Sequence, residues 1–365
     1  MNASNVARGC CGLVLGAFAL MLAAPAAAGE IACRARGVAL ANPPPLVTTG
    51  LVSGAELLLA GASSGLRRVD LRTGRDLAVV PLRGFGREEP VPMYLASGPD
   101  GAAVSGVNHR WYFLDQSFKV TGSLSHFMLD PLGSCLLYDD RIIVYGFARE
   151  EKTGTGNAWL FVHFREGGLL PLAEYDPAAP MTRHLGEFHI RQITQGGICR
   201  LPDGGWVAVD PLDYTIRVFD SRDRQVTGFQ GRNRHFRKPD IAAYPDGEWD
   251  PGDRAAYFNW LQAQCQVKKP VALGGDLIGI LVGIPSAGGR QRHELDVYRT
   301  NGTPVATSVP IAGLDVGRLV VADAEPGRLV VLTQERSWPF GAPARVWEVE
   351  ISGLAIPRQP TGRQR

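Results

Sequence analysis

The densest set of groups able to grip an anion lies between residues 231 and 264. Arg232, Arg234, His235, Arg237 and Lys238 fall within seven residues. A guanidinium matches a planar carboxylate, phosphate or sulfate with two parallel hydrogen bonds. Asp240, Asp246, Glu248 and Asp250 follow, so the plainer reading is a solvated connector whose charges pair with one another. The same stretch carries Trp249, Tyr257, Phe258 and Trp260, which would pack a helix or present a patch to a partner. Arg232, Arg234, Arg237, Tyr257 and Trp260 are the expected recognition residues, because this stretch departs from the repeat length around it.

Other reactive side chains are sparser. His184, Glu187 and His189 are ligand types within six residues. If the chain is extended there, Glu187 and His189 share a face as weak metal candidates, and further ligands would have to come from elsewhere. Gly61-Ala62-Ser63-Ser64-Gly65 spells a nucleophile elbow by letter, but that motif needs a strand-to-helix turn. Here it joins two strands and reads as a hairpin. Cys33, Cys135, Cys199 and Cys265 allow up to two disulfides in three connectivities, or serve as small buried side chains. No pair has the spacing of a zinc site. Asn301-Gly302-Thr303 is a hairpin signal and also a glycosylation sequon.

The elements that must hold these groups are strands. Residues 196 to 230 contain four short β-rich runs, 198–201, 206–210, 214–220 and 225–229, with Pro202-Asp203-Gly204-Gly205 as the first turn. The third run and the turn after it recur along the chain, ending at Asp70, Asp115, Phe164, Asp220, Arg299 and Glu350. Spacings of roughly 45 to 56 residues, with one gap of about 79, suit blades of about 40 to 50 residues plus one insertion. A blade cannot cover its own apolar faces, so neighbours must stack around a ring. The expected fold is therefore all-β: a six-bladed β-propeller of four-stranded antiparallel blades. A β-sandwich would have no reason to repeat the turn. The last blade has three visible strands, and a segment within residues 30 to 40 is expected to supply the fourth and close the ring. In the insertion, Asp250-Pro251 signals a helix of three to four turns with Ala255, Phe258, Leu261 and Cys265 on one face.

The first 28 residues read as a secretory signal. Arg8 precedes the apolar run Leu13 to Leu22, too short for a bilayer span, and Ala26-Ala27-Ala28 offers cleavage before Gly29. Cys10 and Cys11 would leave with it. The expected organisation is one propeller domain over 29–354, with its insertion at 231–264, and a disordered tail at 355–365. The chain is expected in the periplasm or outside the cell, with no transmembrane segment after cleavage and as a monomer. A formal charge of +2 over 365 residues gives no reason to expect nucleic acid.

At Leu201-Pro202-Asp203-Gly204-Gly205, Ile216-Arg217-Val218-Phe219-Asp220 and Gln225 to Gly231, the chain resembles bacterial six-bladed β-propellers of the NHL and TolB-like kind. The resemblance covers residues 196–230 well, the second and fifth repeats partly and the other repeats loosely. It implies a fold, and a binding or scaffolding role for a protein, peptide or glycan partner without a cofactor. A minority of that group are metal-dependent lactonases or lyases with a ligand set at the channel mouth. No such set matches here residue by residue, so the alternative, a hydrolase or lyase needing a divalent metal, carries no catalytic residues.

Overall fold

A computed structural model describes residues 31–44, 47–61, 66–80, 92–98, 101–106, 109–125, 129–148, 158–176, 196–244, 254–287, 290–316, 319–325, 328–333 and 343–354. The signal segment, the loops at 62–65 and 150–157, His184, Glu187, His189, Trp249, the Asp250-Pro251 helix start and the 355–365 tail lie outside them.

Apart from one short helix, the regular secondary structure of the described chain is strand. β1 (Ala32–Val38) comes first. Antiparallel meanders follow in chain order. The first is β2 (Val47–Ser53), β3 (Glu56–Gly61), β4 (Leu66–Asp70) and β5 (Asp76–Val80). The next is β6 (Pro92–Gly98), β7 (Gly101–Gly106), β8 (Arg110–Leu114) and β9 (Val120–Ser125). Then come β10 (Leu129–Leu137), β11 (Arg141–Ala148), β12 (Ala158–Phe164) and β13 (Leu169–Glu174). The most regular meander is β14 (Gly197–Arg200), β15 (Trp206–Asp210), β16 (Thr215–Phe219) and β17 (Gln225–Gln230). After the helix α1 (Arg254–Gln262), the chain continues as β18 (Gln266–Gly274), β19 (Leu277–Pro285), β20 (Gln291–Arg299) and β21 (Pro304–Val316). It finishes with β22 (Leu319–Glu325), β23 (Arg328–Thr333) and β24 (Arg345–Ser352).

β1 completes that last sheet. It runs antiparallel to β24 with Cys33 opposite Ile351 and Val38 opposite Val346, so the N-terminal strand covers an edge that would otherwise be open. It also touches β21 in parallel at Cys33–Ile311, and β6 touches β10 in parallel at Ala96–Cys135. These two parallel contacts join neighbouring meanders into two eight-stranded sheets.

Period-two alternation makes the meanders stack. On β16, Ile216 and Val218 pack with Val267, Ile280 and Val282 of the β18–β21 meander. Phe219 turns the other way, stacks on Trp206 with centroids 3.9 Å apart, and joins Trp159 and Tyr145 of the β10–β13 meander. Each apolar cluster is shared in this way by two consecutive meanders. One of them joins the last to the first, through Val330, Leu332 and Val346 against Val47, Leu57 and Val69. The first strands follow the same circuit: β2 beside β6, β6 beside β10, β10 beside β14, β14 beside β18, β18 beside β22, and β22 beside β2. Sheets stacked face to face around a closed circuit make a β-propeller.

The recurring turn is one hydrogen-bonding pattern. Asp115 N–H donates to Lys119 O and Asp220 N–H to Arg224 O, and Arg299 N–H donates to Thr303 O in the same way. Phe118, Asp223 and Gly302 take positive φ at the matching position. The Asp115 and Asp220 carboxylates accept N–H bonds from two and four residues on, which fixes the turn.

The cysteines correct one expectation. Cys33, Cys135, Cys199 and Cys265 stand as buried thiols and not as bridges. Cys135 packs toward the β6–β9 meander, Cys33 into the cluster between the last two, and Cys199 and Cys265 into the cluster beside Val207 and Val267. Cys33 and Cys135 are thus separated in different interfaces, while Cys199 and Cys265 share one and remain unbridged. Burial pushes the Cys33 thiol up to about 11 and Cys135 to about 12, so both stay protonated.

Candidate functional site

The connection after β17 lies against a buried polar network. On β20, Leu295 and Val297 face the β22–β24 sheet. The alternate residues Glu294, Asp296 and Tyr298 face the β14–β17 side and are buried. Asp296 accepts from Tyr214 Oη at 2.5 Å, Ser308 N–H at 2.5 Å and Asn233 Nδ2 at 3.1 Å. Asn233 Nδ2 also donates to Glu294 at 3.0 Å, and its carbonyl accepts the N–H groups of His235 and Phe236. Glu294 in turn holds His235 Nδ1 at 2.8 Å and Arg292 Nε at 3.2 Å. Arg232 N–H donates to Tyr298 Oη at 2.7 Å, and Arg234 N–H to Ser308 Oγ at 3.0 Å.

Through these bonds Arg232, Asn233, Arg234 and His235 are tied to β20 and β21. Bonds to charged groups are worth about 1.5–3 kcal/mol each, and a buried acid left without them costs more. Burial pushes Asp296 up against the opposing hydrogen bonds, raises Tyr298 to about 12 and holds Tyr214 well above a phenol's usual value. Tyr214 sits at φ 62°, a costly conformation for a bulky residue. Gly231 passes directly over its ring, where a Cβ would stand 2.4 Å from a ring carbon. Only glycine fits that crossing.

This fixed backbone displays Arg232, Arg234, Arg237 and Lys238 at the surface. Arg237 is stapled by Nη1 bonds to the Arg234 and Phe236 carbonyls. Among the described residues, no carboxylate pairs with Arg232, Arg234 or Lys238. Asp240 does not neutralise them: its carboxylate caps Ala243 N–H and its own N–H donates to Gln264. Arg290, in the β19–β20 connection, and Arg292, at the start of β20 and paired with Glu294, add exposed guanidiniums.

The structure separates the expected recognition residues. Arg232, Arg234 and Arg237 share the exposed segment. Trp260 is 7% exposed, donates Nε1–H to Asp240 O at 2.8 Å and meets the Tyr244 ring edge-on. It seats α1 on the cluster containing Trp206 and Tyr145, so its ring is not offered to a partner. The Tyr257 and Phe258 side chains lie outside the described set. The described part of α1 spans nine residues, and the Asp250-Pro251 start expected for it lies outside the described residues. Sequence reasoning missed Asn233, Glu294, Asp296, Tyr214 and Ser308. The available signal was Glu294-x-Asp296-x-Tyr298, three polar residues on one face of a strand whose neighbours are buried.

A second buried acid lies across the β14–β17 meander. Asp210 accepts from Leu212 N–H and Tyr175 Oη, and burial with Asp213 nearby pushes it up to about 7. Among the described residues, no group of three His, Cys, Asp or Glu is placed to hold a metal.

No family model matches the chain, and no curated protein matches it. Solved structures do align. One is BamB from Moraxella catarrhalis, at 11% identity over 82% of this chain and 68% of that one, with TM-score 0.33. The WD40 repeats of RRP9 align at 12% identity over 88% and 100%, TM-score 0.48. U3-55K aligns at 12% identity over 87% and 98%, TM-score 0.45. Likenesses this loose bear no argument, and the architecture is read from the strand order and the shared clusters.

Proposed function

We propose that the chain is an exported six-bladed β-propeller, one domain over 29–354, that acts as a binding or scaffolding module for a protein, peptide or glycan partner carrying anionic groups. The six blades are the meanders beginning at β2, β6, β10, β14 and β18, and the β22–β24 sheet closed by β1. The circuit of neighbouring first strands supports this count, and the blade motifs at 201–205 and 216–220 support the NHL and TolB-like comparison. Export rests on the 1–28 signal pattern, and N-terminal sequencing of the secreted or periplasmic product should begin at Gly29.

One observation carries the binding reading: exposed Arg232 and Arg234, with no acidic partner among the described residues, stand on a backbone that the Asn233–Glu294–Asp296 network holds in place. A backbone already held in place removes part of the ordering cost when these arginines meet a carboxylate, sulfate or phosphate. Arg232→Glu with Arg234→Glu tests it, since their side chains make no described bond in the fold. Partners retained from an envelope extract by the wild-type chain should be lost by the double variant at unchanged melting temperature. Equal retention would remove the segment as the recognition surface.

A further inference from the structure

The segment after β17 does not cross β20 at one point but runs along it. Arg232 N–H meets Tyr298 Oη, Asn233 reaches Asp296 and Glu294, and His235 meets Glu294. Each step forward in the segment is a step backward along β20, so the two run antiparallel. The next residue on that face of β20 is Arg292. Its Nε grips the same Glu294 oxygen that holds His235 Nδ1, at 3.2 and 2.8 Å. One buried carboxylate therefore joins the segment to the start of β20. Arg290 stands exposed two residues further on, where Ser286 N–H donates to its carbonyl and keeps the β19–β20 hairpin paired.

The cations thus form a strip. From Tyr298 back to Arg292 is six steps of strand, about 20 Å. Arg232 and Arg234 stand over one end, Arg292 and Arg290 at the other, and Arg237 and Lys238 follow on the connection. A single carboxylate or phosphate would engage one step of this length, whereas a chain of charges engages all of it. The strip offers no apolar anchor. Among the described residues, the exposed large apolar side chains are Leu77, Val79, Leu170, Val226 and Val305, none of them on 231–244 or 290–292. Phe236 meets the Tyr214 ring edge-on, and Trp260 is covered. Protein partners draw most of their affinity from buried aromatic and aliphatic anchors, and single-stranded nucleic acid from bases stacked on aromatic rings.

We propose, on the reading of Arg232 and Arg234 above, that Arg290 and Arg292 extend the recognition segment into one strip that binds a linear acidic polysaccharide, its sulfate or carboxylate groups spaced along the arginines. Guanidiniums pair with either group through two parallel hydrogen bonds. A sugar chain supplies repeated charge and asks for no apolar pocket. Exposed ion pairs are individually weak, and several engaged at once by one chain add to an affinity that none provides alone.

The test is calorimetric titration of the full chain with dextran sulfate and, separately, with polygalacturonate, at about 0.15 M salt. Neutral dextran, polyglutamate and duplex DNA are the comparisons. At least one acidic polysaccharide should bind more tightly than polyglutamate or DNA, and neutral dextran should not bind. Whichever polysaccharide binds better distinguishes sulfate from carboxylate. Arg290→Glu changes an exposed side chain with no described bond, and should weaken that binding at least about tenfold at unchanged melting temperature. If Arg290→Glu melts lower, Arg290→Gln decides, with an expected loss of at least about threefold. Tighter binding of polyglutamate or DNA, no binding of either polysaccharide, or full affinity in the Arg290 variants would overturn the strip. Any of these, with extract partners still lost by Arg232→Glu with Arg234→Glu, removes the strip alone. Partners retained by that double variant remove the underlying reading as well.

Discussion

Asn233 shows how much one side chain contributes to this face. It donates to two buried carboxylates and accepts two backbone N–H groups, so Asn233→Ala would leave Glu294 and Asp296 short of partners. The expected loss is about 3 kcal/mol, read as a shift in the denaturation midpoint. Asp210 makes a pH prediction. Its folded pKa of about 7 is above the ordinary carboxylate value, so its contribution to stability is complete below about pH 4 and is lost as pH rises toward 7. His293 acts oppositely: burial lowers it to about 4, so its contribution is present above about pH 6.5 and is lost as pH falls. Asp210→Asn keeps the acceptor oxygen for Leu212 and Tyr175 and should gain stability over wild type between pH 4 and 7. Denaturant midpoints at pH 4, 5.5 and 7.5 that track wild type would contradict this. None of Glu294, Asp296 and Asp210 was legible in the sequence as a buried group. A carboxylate on a strand has the same letter on either face, and only the parity of Glu294, Asp296 and Tyr298 hinted at which side was covered.

Elements were far more legible than sites. The turns after β8 and β16 are local chemistry, an Asp side chain capping N–H groups two and four residues ahead, so they show in the letters at Asp115 and Asp220. β1 was legible by subtraction, since three strands at the end of the chain required a fourth. The helix was harder. Trp260 suits a partner patch and a buried wedge equally well by composition, and the contact with Tyr244 decides it. Two element-scale predictions follow from the geometry. A chain starting at Asn42 lacks β1 and exposes the β24 edge, so it should aggregate or melt at lower temperature. Arg141→Ala removes a two-pronged pair with Asp223 that ties the β10–β11 turn to the β16–β17 turn. Both side chains are mostly covered, so about 3 kcal/mol should be lost.

At the scale of the molecule, successive meanders share apolar clusters and the last shares one with the first. The ring itself provides stability and leaves its connections to carry recognition. The 231–264 connection is the one that breaks the repeat length, and its residues 232–235 are held by side chains of the next meander. Its cations therefore stand in a defined array and not on a loose tether. The most direct measurement is retention of envelope partners by the immobilised wild-type chain and by Arg232→Glu with Arg234→Glu, at low and high salt. Salt-sensitive retention by wild type that disappears in the double variant, with both proteins melting alike, is the predicted result. Retention by the variant equal to wild type at both salt concentrations would contradict the account.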